Sequence, residues 1–159
     1  MKKLLISFIF ILIAVSTVNA QFFKQSDIDI YKNDVAKQSK DLVKENLDLT
    51  EEQAKIFWPL YEEYRAESAD ILNEELKVSE DYLMNYYILE DSKAIELLRK
   101  LFELRRNKID LQEKYLKKMA KVLPATIVGK FYQIDYRLEL MISQQRTEKI
   151  PLVRDQDKN

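Results

Sequence analysis

The side chains able to do chemistry in this chain are carboxylates, amines, guanidinium groups and phenols. There are 27 Asp and Glu, 26 Lys and Arg and nine Tyr, but neither His nor Cys. That inventory excludes Ser-His-Asp and Cys-His nucleophilic sites. Zinc, copper and nickel sites draw on His, Cys or Met. Met84, Met119 and Met141 fit core filling better than ligation. A phosphate-cradling loop needs several glycines, and Gly129 is the only one. Carboxylate pairs on charged helices read as solvated faces rather than acid–base pairs. The reading is of a protein that is not an enzyme and needs no cofactor.

What remains is contact chemistry. Tyr82, Tyr86 and Tyr87 cluster within six residues, and Tyr combines an apolar body with a polar end. Tyr at the border of a core is the equally good structural reading. Arg105, Arg106, Lys114 and Lys117 can lay long apolar stems along a partner while keeping their charge wet. These seven residues form the candidate protein-binding surface. The chain's formal charge of −1 gives nucleic acid no electrostatic footing.

Helices must position these residues. One Gly, three Pro and 33% charged residues describe long helices with short connections. Ser26 can cap a first helix whose stripe is Ile28, Tyr31, Val35 and Leu42, ending near Asn46. Thr50-Glu51-Glu52-Gln53 is a capping box, with Leu49 placed to pack on the turns that follow. The second helix carries Ile56, Phe57, Leu60, Tyr64, Ile71, Leu72 and Leu76 toward Leu83, and Pro59 predicts a kink within it. Glu90-Asp91-Ser92 ends it and caps a third. That helix has a main stripe of Ile95, Leu98, Phe102, Ile109, Leu116, Met119 and Leu123, widened by Leu97, Leu101, Leu104 and Leu111. Leu123-Pro124 stops it. A fourth helix carries Ile127, Phe131, Ile134, Leu138, Met141 and Ile142 up to Ile150-Pro151.

The second and third helices have opposite charge. Residues 62–91 hold ten acidic residues against Arg65 and Lys77, a net of −8, whereas residues 99–121 hold nine basic against three acidic, a net of +6. An antiparallel hairpin turning near residues 88–92 would lay one beside the other. Exposed pairs contribute only about 0–1 kcal/mol each, so this pattern sets register more than stability. A faint internal echo relates Leu49, Phe57, Trp58 and Leu60 to Leu123, Phe131, Tyr132 and Ile134 at identical spacing.

The N-terminus reads as an export signal. Lys2 and Lys3 precede an apolar run from Leu4 to Val15, and Val18-Asn19-Ala20 supplies the small residues of a cleavage site. The run is shorter than the roughly 20 residues of a membrane-spanning helix. The domain plan is a signal peptide over 1–20, a helical domain over 21–150 and a polar tail over 151–159. Mass spectrometry of an envelope fraction is expected to find Gln21 at the N-terminus; intact Met1 in the membrane would contradict it.

Leu49-Thr50-Glu51-Glu52-Gln53, following an export signal and one short helix, resembles the LTxxQ signature of the Spy/CpxP-like periplasmic helical proteins. Phe57-Trp58-Pro59-Leu60-Tyr61, Lys121 to Pro124, Phe131 to Asp135 and Ile150 to Val153 resemble a diverged branch with one clear motif. The resemblance implies four-helix protomers that form a curved antiparallel homodimer. It implies an ATP-independent chaperone for unfolded or envelope proteins, or an accessory of a sensor kinase or anti-sigma factor. Metal-binding relatives use His, which this chain lacks. At the second motif position Leu123-Pro124-Ala125-Thr126-Ile127 keeps only the Leu. The fold expected is all-α, an elongated four-helix hairpin bundle with its second and third helices antiparallel. The competing function is a structural envelope protein with one fixed protein partner.

Overall fold

A computed structural model describes residues 37–154, with the side chain of Gln145 outside the description. The export signal, the Ser26 cap with most of the first stripe, and the tail from residue 155 onward lie outside the described residues. Four helices and no strand are present among the described residues: α1 (37–46), α2 (Glu51–Asn85), α3 (Asp91–Met119) and α4 (Ala125–Thr147). The all-α expectation holds, and α2 and α3 form the closely packed pair.

The start of α2 is built as its sequence dictates. Thr50 is extended, its hydroxyl accepts from the backbone N–H of Gln53 at 3.3 Å, and the Gln53 side-chain oxygen accepts from the N–H of Thr50 at 3.0 Å. Glu51 and Glu52 place negative charge at the positive end of the helix dipole. Thr50→Ala removes one acceptor and is expected to cost about 0.5–2 kcal/mol. Gln53→Ala should cost less. An unchanged urea midpoint in Thr50→Ala would show that the cap contributes nothing. The helix then continues unbroken through Pro59 for 35 residues, roughly 52 Å of rise.

The chain reverses over residues 86–90, slightly before the predicted turn. Within Glu90-Asp91-Ser92 it is Glu90 that occupies the N-cap of α3, and it makes no side-chain cap bond. Leu89 is buried in the turn, which fixes where the chain must bend back. Antiparallel register is marked by Lys93–Asp81 at 2.8 Å, Lys114–Glu67 at 2.6 Å and Lys118–Glu63 at 3.0 Å. The acidic and basic strips therefore do lie side by side.

At its far end α3 stops at Met119, four residues before the predicted stop. The N–H groups of Val122 and Leu123 both donate to the Met119 carbonyl, closing a turn that swings Leu123 into the core. Pro124 keeps Leu123 out of the α region, so the helix must end earlier. α4 runs parallel to α2. Tyr64 meets Asp135, Glu75 meets Arg146, and the Tyr82 hydroxyl donates to the Pro151 carbonyl at 2.9 Å. α1 runs antiparallel to α2 through Lys40–Glu62 and a 3.2 Å bond from Arg65 to Ser39, and Lys130 reaches Asp48 at 3.1 Å.

The larger core sits at the capping-box end, where α1, α2, α3 and α4 converge. Its centre is aromatic: Phe57, Tyr61, Tyr64 and Phe131 pack with ring centroids 5.3–6.0 Å apart, mostly edge to face. Phe57 and Phe131, the matched positions of the internal echo, touch each other here. A smaller core of Val78, Leu89, Leu97 and Leu104 closes the hairpin tip.

The α3 pattern is corrected by the structure. The residues turned inward are Leu97, Leu104, Leu111, Tyr115 and Met119, which include three of the four widening residues; the fourth, Leu101, is partly buried against the smaller core. Of the main stripe, Ile95, Leu98, Phe102, Ile109 and Leu116 remain 44–55% exposed. Both sets recur at helical spacing, so periodicity alone does not choose between them. The partner strip on α2 chooses, because the basic residues Lys93, Lys114 and Lys118 must face its acids.

Candidate protein-binding surface

The seven residues of the candidate surface do not form one site. Tyr82, Tyr86 and Tyr87 stack edge to face at the hairpin tip, with centroids 5.8 Å and 5.1 Å apart. Met84 and Ile88 are exposed beside them. The segment after α4 returns to this tip, where Pro151 accepts from Tyr82 and the Arg154 guanidinium lies 5.3 Å over the Tyr87 ring. Arg105 lies some 20 Å along α3 from the tip, by its helical rise. Its guanidinium lies 5.8 Å over the Phe102 ring. Arg106 is its exposed neighbour.

Lys114 belongs elsewhere. It reaches Glu67 on α2 at 2.6 Å and lies 5.3 Å over the Tyr115 ring, so it acts in hairpin register. Lys117 pairs along its own helix with Glu113 at 3.4 Å. Of the motif residues, Leu49 packs against the larger core, Thr50 and Gln53 form the cap, and Pro59 is exposed on α2.

Two features were not singled out in the sequence. The first is a cavity of about 420 Å³ between the α2–α3 hairpin and α4. Leu72 of α2, Arg105 and Ile109 of α3, and Tyr136 and Leu140 of α4 are among its walls. The exposed stripe of α3 runs into it. The helical spacing of Tyr136 and Leu140 is a signal for an α4 contribution, but their exposure is set by how α4 rides on the hairpin.

The second is a buried polar network beside that cavity. Asp135 is 1% exposed; it accepts from the Tyr64 hydroxyl and faces the Arg65 guanidinium at 3.5 Å. Glu139, one turn on, accepts from Gln112 at 2.9 Å and pairs with Lys108 at 3.1 Å. Burial pushes the Asp135 and Glu139 carboxyls above their ordinary values, and Arg65 and Lys108 respectively oppose that shift. Burial likewise raises Tyr64, with Asp135 adding to the effect, and pushes Tyr61 up to about 12. All of these phenols are neutral at physiological pH. The network crosslinks α2, α3 and α4 and gives Asp135 no open approach for a substrate.

Among the described residues no group of carboxylates is arranged to hold a metal ion, and no helix is long and apolar enough to cross a membrane. The chemistry on offer is thus an apolar stripe bordered by guanidinium groups, next to a cavity with mixed walls. No family model, no curated protein and no solved structure matches this chain.

Proposed function

We propose that this chain is a periplasmic protein-binding helical protein of Spy/CpxP-like type. It works without ATP, as a chaperone for unfolded envelope proteins or as an accessory of a sensor kinase or anti-sigma factor. One observation carries the reading: five large apolar side chains on α3 stay half exposed although two cores are fully built elsewhere. Contiguous exposed apolar surface marks interaction sites. The export signal read at the N-terminus and the LTxxQ-type cap support the placement and the family.

Purified protein is expected to suppress aggregation of unrelated unfolding proteins at near-stoichiometric ratio. Raising salt to about 0.5 M should slow capture, because screening then falls well below the roughly 8 Å of physiological conditions. Failure with several clients, by protein that remains folded, would remove the chaperone reading and leave a dedicated partner.

A further inference from the structure

The stripe on α3 has a heptad period: Ile95, Phe102, Ile109 and Leu116 are seven residues apart, and of the intermediate positions Leu98 is apolar while Arg105 and Gln112 are polar. That is the seam an α-helix offers to another α-helix. It spans about 32 Å of rise, the length of some six turns. Among the described residues no helix covers it, and the exposed Tyr136 and Leu140 of α4 form the opposite wall beside Ile109. Arg99, Arg105 and Arg106 lie along the same seam and make no ion pair among the described residues, whereas Lys93, Lys100, Lys108, Lys114, Lys117 and Lys118 of α3 all do.

A second copy of the chain is a poor occupant. Antiparallel pairing about the stripe's midpoint would set Arg105 against Arg106 of the other copy. Parallel in-register pairing would set each guanidinium beside its own equivalent. Like charges across a seam disfavour both arrangements. An occupant with carboxylates flanking its apolar face would instead pair with three guanidinium groups that make no ion pair among the described residues, and guanidinium binds carboxylate in bidentate geometry.

We infer that the α3 seam, with the α3–α4 cavity at its middle, is a groove for an acidic amphipathic helix of a partner protein. This rests on the protein-binding reading above and deepens it. Apolar anchors at heptad spacing supply affinity, and the Arg99–Arg105–Arg106 border selects for acidic flanks.

The probe is a synthetic helical peptide of about 21 residues, matched to the stripe by its rise, with Leu at the seam positions and Glu at the flanks. A second peptide carries Lys in place of Glu, and a third has the Glu peptide's composition in scrambled order. Fluorescence anisotropy with the full chain should show saturable binding of the Glu peptide only. Arg105→Glu with Arg106→Glu should weaken that peptide about tenfold or more and improve the Lys peptide, the reversal expected of charge complementarity. Phe102→Ser should weaken the Glu peptide while circular dichroism shows helix content retained. Equal binding of the Glu, Lys and scrambled peptides would overturn the inference. So would no binding, or a dimer in light scattering that Phe102→Ser dissolves. Client capture by the unaltered protein while no peptide binds it sinks the groove and spares the broader reading; failure of the folded, unaltered protein in both assays sinks both.

Discussion

Phe131→Ala is expected to lower the free energy of unfolding by about 3–5 kcal/mol, the range for truncating a fully buried aromatic side chain. Phe131 is completely buried and its ring meets those of Phe57, Tyr61 and Tyr64 on α2 and Tyr132 on its own helix. Truncation removes the transfer energy of the ring and leaves a void that three rigid aromatic neighbours cannot refill. It also strips α4 of its main anchor on α2 at the end where all four helices meet. Urea unfolding with an unchanged m-value would measure the loss. Met141→Ala on the same helix is the control: Met141 is 52% exposed, so its effect should stay within about 0.5 kcal/mol. A Phe131→Ala midpoint within error of that control would show that α4 is not held by this contact.

How far the sequence specifies this molecule differs from element to element. The cap at Thr50 was legible because a capping box is local: four consecutive residues contain every donor and acceptor involved. Hairpin register was legible because opposite charge blocks of similar length can align in only one antiparallel way. The inward face of α3 was not legible, since Ile95-Phe102-Ile109-Leu116 and Leu97-Leu104-Leu111 are equally periodic and apolar. Which one packs depends on α2, through contacts far away in sequence. The same holds for the candidate surface. Arg105 and Lys114 are alike in sequence, yet one makes no ion pair among the described residues and lies over the Phe102 ring, while the other is committed to Glu67. Asp135 sits among the apolar positions Phe131, Ile134 and Leu138 as an apparent misfit. It becomes intelligible only when Tyr64 and Arg65 are seen to close around it.

Arg65→Met should be about 3–5 kcal/mol destabilising at neutral pH, the cost of leaving a buried charge without its partner. Arg65 faces Asp135 at 3.5 Å and also holds Ser39 of α1, so its loss touches three helices. The penalty has a definite pH dependence. Asp135 already titrates above its ordinary value because burial disfavours the anion, and Arg65 is the nearest charge restraining that shift. A carboxyl raised in the folded state contributes stability that is fully present below its unfolded value, near about 4, and is lost as pH rises through its folded value. Glu139, also raised by burial, adds in the same direction. Removing Arg65 lifts Asp135 further, so the loss with rising pH becomes larger. The gap between Arg65→Met and the unaltered protein should therefore be wide at pH 7 and shrink as pH falls toward about 4, as protonation removes the Asp135 charge. Exposed carboxylates held low by lysines, such as Glu67, act oppositely in both proteins and cancel in the difference. Arg65→Met combined with Asp135→Asn should recover much of the neutral-pH loss, because no buried anion is then left to desolvate. Urea midpoints for the three proteins at several pH values between about 4 and 7 measure all of this. A gap that stays constant across that range, or a double variant no better than Arg65→Met alone, would show that Arg65 acts through Ser39 and its packed stem rather than through the charge on Asp135.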